Sequence, residues 1–330
     1  MGSLLMFKLK SMALNGVKKE PLLIAGYGKL SYSIAVCLVQ SGFPVTLYTE
    51  NEYDAQKNIA AHFAALSRYT EQTPGKKLLS ITHELHDALS HPLAIVVTGE
   101  DMLKKKLLIR ELEKKLPPGS VIAVNTESIP LSILQEGAIH PERIAGLNWT
   151  EPAHTTYFME IIANAKNDSS LVKHLAHEAK TYWGKDPYII SGDLGIRAKM
   201  MAAMTREAFY LLEHGYASVE DIDRACRNDP GYYLPFAGNF RYIDLMGGAS
   251  AYGRVMKGLN PELSKSIHIP DFFINAAQQC GAAAENGKGL YDYEEGDTEK
   301  WEATFREFSY RIKQVIDKYP FAYLKEGSSE

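Results

Sequence analysis

Between Gly146 and Glu160 the chain reads GLNWTEPAHTTYFME, a short segment crowded with side chains that could handle a proton or a reacting oxygen. Asn148 donates and accepts hydrogen bonds but takes up no proton, Glu151 and Glu160 are carboxylates, and His154 is an imidazole. Oxidising a secondary alcohol sends a proton to a base poised near working pH, a part that histidine plays most often. His154 is therefore a candidate base, although a lone histidine in a loop is more commonly a surface residue.

Hydride chemistry comes into question because of an upstream stretch, LLIAGYGKLSYSIA, in which an apolar strand runs into Gly26-x-Gly28-x-x-Ser31 and then a helix. Glycines at the first two positions allow a tight turn and close approach of a pyrophosphate to the helix N-terminus, and a small third residue lets helix and strand pack. Gly26, Gly28, Lys29, Leu30 and Ser31 are the candidate phosphate contacts. The tip of the next strand should hold an acid for the ribose; VTLYTEN places Thr49 there, with Glu50 one residue later. With no arginine following to meet a 2′-phosphate, the pattern favours NAD and leaves NADP open.

The elements that must position these residues follow from periodicity. Apolar runs at Leu22 to Ala25, Val45 to Tyr48, Leu93 to Val97, Ser120 to Val124 and Ile144 to Asn148 alternate with helical patterns near 29–41, 53–68, 100–115 and 169–182. Such alternation predicts a parallel sheet wound by helices. From Gly195 onward the pattern is helical, with one helix ending at Gly215 and another opening at Ser218. The fold class expected is therefore α/β followed by all-α: a flexible tail over 1–20, a Rossmann-type nucleotide domain over 21–192 and a helical domain over 193–330. Near the C-terminus, Trp301, Phe305, Phe308, Ile312 and Val315 share one helical stripe, which is expected to dock on a core.

Composition narrows the function classes. The chain has 330 residues, 45% hydrophobic and 23% charged, with a formal net charge of −4, so it lacks the basic footprint of a nucleic-acid binder. Cys37, Cys226 and Cys280 are odd in number and widely spaced, which favours reduced thiols and a cytoplasmic location over a disulfide frame or a metal site. No long apolar run suggests a membrane span.

Beyond the phosphate loop, four further stretches resemble the 3-hydroxyacyl-CoA dehydrogenase family. They are GEDMLKKKLLIRELEKKLPPGSVIAVNTESIPL, PERIAGLNWTEP through Glu160, LLEHGYASVEDID, and GNFRYIDLMGG with the later NGKGLYDY. The resemblance spans about residues 21 to 293. It implies a small-molecule substrate, an NAD-binding domain followed by a helical domain, and a homodimer formed through the latter. It also implies cofactor-side roles for Glu100, Lys105 and Asn125, although the Lys104 to Lys106 run alone reads equally well as a solvated helix face. Where the family carries NTSS, this chain has Asn125, Thr126, Glu127 and Ser128, so Glu127 and Ser128 fall on substrate-side positions.

In the same resemblance GLNWTEP replaces the family's GLHFFNP. Asn148 then stands at the catalytic histidine, Glu151 at the following asparagine, and Glu160 at the glutamate that pairs with that histidine. Lys199 takes the place of a substrate-contacting asparagine. Lysine can serve as acid or base when its pKa is lowered in a partly dry site, so the expectation is an altered apparatus of Lys199, Asn148 and Glu160. Arg197 and Arg206 are further carboxylate partners on the same helix. The segment from Asn51 to Lys77 is short for the family's helix pair that helps hold coenzyme A, which favours a smaller hydroxy acid. The competing expectation is a dinucleotide-binding or assembly protein without catalysis.

Overall fold

The structure is a computed structural model that describes residues 19–72, 75–86, 89–280 and 290–319. Most of the proposed N-terminal tail and the first half of NGKGLYDY lie outside these residues, as does the side chain of Cys280. The chain divides into two compact units at Ile196.

Unit one is a single eight-stranded sheet in the order β3-β2-β1-β4-β5-β6-β7-β8. Its strands are β1 (Leu22–Gly26), β2 (Val45–Tyr48), β3 (Leu79–Thr82), β4 (Leu93–Val97), β5 (Val121–Val124), β6 (Ile144–Asn148), β7 (Glu160–Ala163) and β8 (Tyr188–Ser191). The first six pair in parallel, while β7 runs antiparallel to β6 and parallel to β8. LLIAG and LAIVV are buried at every position, as strands covered on both faces by helices must be. The helices are α1 (Lys29–Gln40), α2 (Glu52–Tyr69), α3 (Met102–Lys115), the single turn α4 (Leu131–Leu134) and α5 (Ser169–Thr181).

All five strands anticipated from periodicity form, and β3, β7 and β8 are additional. LSIT, EIIA and YIIS are four residues long, and runs of that length carry too few alternations to declare a strand. β2 leads into one helix of 18 residues, capped by Asn51, whose side chain accepts from the Asp54 N–H. Strand order reverses between β1 and β4, and in such sheets ligands bind beyond the carboxyl ends at the reversal.

Unit two is helical: α6 (Ile196–Glu213, its first residue in unit one), α7 (Val219–Asn228), α8 (Pro230–Leu245), α9 (Gly248–Leu259), α10 (Asp271–Cys280) and α11 (Asp297–Lys318). The Ser218 side chain caps α7 by accepting from the Asp221 N–H. The stripe on α11 departs from expectation. Trp301 is 65% exposed, and Phe305, Phe308 and Val315 are also open to solvent. Among the described residues none covers this face.

Candidate functional site

The glycine turn closes at the carboxyl end of β1. A side chain on Gly26 would overlap the Val97 carbonyl, which also accepts the Tyr27 N–H at 3.1 Å, so only glycine lets β1 and β4 approach this closely. Gly28, at φ +87°, is the N-cap of α1 and supplies no side-chain cap. Lys29 and Leu30 open the helix, whose N-terminal dipole end faces out of the turn and suits an anion. Ser31 is buried and its Oγ donates to the Gly28 carbonyl at 2.8 Å, holding the turn from within.

Beside this turn lies a cavity of about 260 Å³ lined by Gly26, Tyr27, Tyr48, Thr49, Glu50 and Thr98, with Glu111 reaching in from α3. Thr49 is buried and Glu50 exposed, so the carboxylate expected at the strand tip is offered one residue later. Burial raises the pKa of the Tyr48 phenol, and the carboxylates of Glu111 and Glu50 add to the effect. Tyr27, Tyr48 and Glu111 carry no motif signal; the β1–β2 pairing and the helix after β4 bring them together. Glycine backbone at the helix start, an uncapped N-terminus and a neighbouring cavity fit a dinucleotide.

Across the reversal, Lys105 is fully buried and so is not part of a solvated helix face. Its Nζ donates to the carbonyls of Thr98 (3.0 Å) and Asn125 (2.8 Å) and lies 3.3 Å from Glu100 Oε1. Lys104 is exposed, and Lys106 pairs with Glu136 at 3.2 Å. Glu100 Oε2 accepts from the Ser128 N–H (2.9 Å), the Ser128 hydroxyl (2.8 Å) and the Ile129 N–H (3.3 Å). Burial alone would raise the Glu100 pKa, but the Ser128 bonds and Lys105 outweigh it and hold the carboxyl below its ordinary value. Burial lowers the pKa of Lys105, opposed by Glu100. The lysine thus ties the ends of β4 and β5 together, with its three donors engaged.

The second cluster sits where β6 and β7 begin their hairpin, with Asn148 directly opposite Glu160. Asn148 Oδ1 accepts from the Thr126 N–H at 2.8 Å, and Nδ2 donates to Glu160 Oε2 at 3.1 Å. Glu160 has no exposed surface; its Oε1 accepts from the Tyr188 hydroxyl (2.9 Å) and the Ile196 N–H (2.8 Å). Ile196 is the first residue of α6, so this N–H is one that has no partner within the helix. Gly195 passes so close that a Cβ would run into the Glu160 carboxylate and come within 3.2 Å of Asn148 Nδ2. Asn125 joins the cluster through Oδ1, which accepts the Trp149 N–H at 3.1 Å.

The other sequence candidates differ in exposure. Glu127 is half-buried next to the exposed Ser128, and Glu151 is half-buried in the loop after β6. Lys199 and Arg206 are exposed on α6, and Arg197 is half-buried. His154 is half-buried, with its Nδ1 out of solvent and its ring 5.0 Å from that of His62, packed edge to face. Burial, with His62 and Lys185 nearby, pushes its pKa down to about 3, so it is neutral near pH 7. That burial was invisible in the sequence because His62 and Ser33 lie far upstream.

The family model described as "3-hydroxyacyl-CoA dehydrogenase, NAD binding domain" matches residues 22–193, and the model for the C-terminal domain of the same family matches residues 196–293. Among curated proteins, the chain is 22% identical to the 5-formyl-3-hydroxy-2-methylpyridine 4-carboxylate 5-dehydrogenase of Mesorhizobium japonicum, over 89% of this chain and 97% of that protein. It is 24% identical to a probable 3-hydroxybutyryl-CoA dehydrogenase of Bacillus subtilis, over 84% and 98% respectively. Among solved structures, a 5-formyl-3-hydroxy-2-methylpyridine 4-carboxylic acid 5-dehydrogenase, described as an NAD⁺-dependent dismutase, superposes with a TM-score of 0.81 at 22% identity, covering 91% of this chain and 99% of that one. The (S)-3-hydroxybutyryl-CoA dehydrogenase of Ralstonia eutropha gives 0.62 at 19% identity, covering 84% and 100%.

Two outcomes follow from this geometry. Glu160→Gln sets an amide N–H₂ against one of the donors that the carboxylate now satisfies, and the expected cost is about 1–3 kcal/mol, read as a lower denaturation midpoint. His154 returns from about 3 to its ordinary 6.5 on unfolding. Between those values the unfolded chain binds a proton that the fold refuses, so stability falls as pH drops below 6.5. His154→Gln is expected to flatten the acid side of a stability-versus-pH curve; an unchanged curve would remove the buried imidazole from that loss.

Proposed function

The chain belongs to the 3-hydroxyacyl-CoA dehydrogenase family, and from that premise we propose that it is an NAD-dependent oxidoreductase working on the CH–OH carbon of a small hydroxy acid or its keto form, with an altered acid/base apparatus. The observation that carries this reading is the intact Asn148–Glu160 pair beneath Gly195. A chain kept only for binding has little need of a buried carboxylate aimed at the residue in the histidine's place. NAD supplies the hydride acceptor. The glycine turn and Glu50 bind it, and Glu100, Lys105 and Asn125 hold the strand ends around it.

Asn148 has one N–H left after its bond to Glu160 and serves as hydrogen-bond donor to the reacting oxygen. Since it takes up no proton, that task passes to Lys199, one turn into the helix whose first N–H Glu160 holds. Glu160 tunes that end of the helix, while Glu127, Ser128 and Glu151 are the substrate-side groups. The small substrate is supported by the lone 18-residue helix after β2, in place of the pair that helps hold coenzyme A. A relative whose name specifies a pyridine carboxylate is consistent with it.

The second reading is a dinucleotide-binding protein without turnover, favoured by the absence of a base at position 148. Fluorescence titration is expected to show saturable NADH binding with weaker NADPH binding, followed by turnover on a panel of free keto acids in preference to acetoacetyl thioesters. Lys199→Met is expected to lower kcat at least tenfold with NADH affinity unchanged. NADH binding without turnover on any member of the panel, combined with activity gained by Asn148→His, would favour the second reading.

We also infer a homodimer through unit two, supported by the apolar stripe on α11. Light scattering is expected to give twice the chain mass, and Phe305→Ser with Phe308→Ser to give the monomer. A monomeric wild-type chain would remove the inference.

A further inference from the structure

Lys185 stands in the turn between α5 and β8, is only 5% exposed, and plays no part in the chemistry above. Its ammonium donates to the carbonyls of Ala153 and Thr156, the second at 2.6 Å. It also sits 5.3 Å from the ring centre of Trp149, which stacks on Trp183 at 5.7 Å. A buried ammonium costs several kcal/mol unless its donors are satisfied, so a turn needing only a polar residue gains nothing from one here.

What Lys185 grips is the loop joining β6 to β7, and the pair that closes this loop is Asn148 opposite Glu160. Other anchors hold the same loop at different points: the Ala153 N–H donates to Ser33 Oγ at 3.1 Å, and the Trp149 N–H to Asn125 Oδ1. From Lys185 the chain zips onto the loop's far side, with the Asp186 N–H donating to the Tyr157 carbonyl at 2.9 Å and the Tyr188 N–H to the Met159 carbonyl at 3.2 Å. Two residues into that zipper the Tyr188 hydroxyl reaches Glu160. Lys185 is thus linked to the pair by two routes, through the loop and through β8.

We propose that Lys185 is a positioning residue that fixes the Asn148–Glu160 pair by clamping the β6–β7 loop. It rests on the reading that this pair is the centre of the site, and its test does not depend on turnover. Solvent exchange of the Asn148 side-chain amide protons is to be followed by NMR in the wild-type chain, Lys185→Met and Lys185→Arg. Lys185→Met is expected to speed exchange at least tenfold both at the backbone amides of 153–157 and at the Asn148 side chain. The amides of Leu23 and Ile24 in β1 should not change, and Lys185→Arg, which keeps a cationic donor, should recover most of the protection.

Faster exchange confined to the loop overturns the proposal, because the clamp would then be local. Equal acceleration at Leu23 and Ile24 also overturns it, as a general loss of stability, and so does no change anywhere. Should Lys185→Met fail to fold, Lys185→Gln, which retains a neutral donor, is expected to show the same pattern at smaller amplitude. With a substrate in hand, kcat should fall while the KM for NADH holds. A wild-type chain without turnover would sink the redox reading and leave the exchange test standing.

Discussion

A carboxylate with no exposed surface must find donors on all sides, and Glu160 draws them from three parts of the chain: the amide of Asn148, the phenol of Tyr188 and the first N–H of α6. Leaving any of these unmade would strand a buried polar group at a cost comparable to a sizeable part of a domain's net stability. The constraint propagates outward. Gly195 has to be glycine because its backbone crosses the carboxylate, and the β6–β7 register has to set Asn148 against Glu160 and not one residue away. A slip of β7 by one would turn Glu160 to the opposite face of the sheet, away from Asn148.

Lys105 and Lys185 are the complementary cases. Each is a buried ammonium whose donors end on backbone carbonyls, at Thr98 and Asn125 for one and at Ala153 and Thr156 for the other. Carbonyls in the loops beyond a parallel sheet have left the ladder and need donors from elsewhere. A long cationic side chain can supply several at once from a neighbouring element, as the Gln135 amide does for Pro141 and Ile144, whereas a hydroxyl has a single donor. The rim of the sheet around the reversal point and the β6–β7 hairpin are therefore held by charge-assisted bonds, where loops tied only to water would be loose.

The parallel core was legible because strands buried on both faces appear as unbroken apolar runs: LLIAG, LAIVV and IAGLN could hardly be anything else. The glycine turn was legible for a related reason, since its glycines answer to local geometry. Burial of individual polar residues was not. Lys105 sits in a run of three lysines, and only the carbonyls of Thr98 and Asn125, brought together by the β4–β5 pairing, distinguish it from its neighbours. His154 reads as a surface residue until α2 places His62 against it. The stripe on α11 was recognised correctly as amphipathic, yet periodicity states only that a face is apolar and does not say which molecule covers it.

The Asn148 amide is held in one orientation by its two partners. Reversing the Asn148 amide would put Oδ1 against Glu160 Oε2 and Nδ2 against the Thr126 N–H, two mismatches worth about 1–3 kcal/mol each. At ~2 kcal/mol in all, the reversed form is already below about one part in twenty, since every 1.4 kcal/mol is a factor of ten. The residue is therefore a fixed donor, and the N–H it has left would be met equally well by an alcohol oxygen or by a carbonyl oxygen. Such a group can orient either redox form, but it cannot carry the proton that separates them. Glu160 accepts from this amide and so fixes its orientation. On the reading proposed above, proton transfer falls to Lys199, and Asn148 contributes what a well-placed hydrogen bond provides.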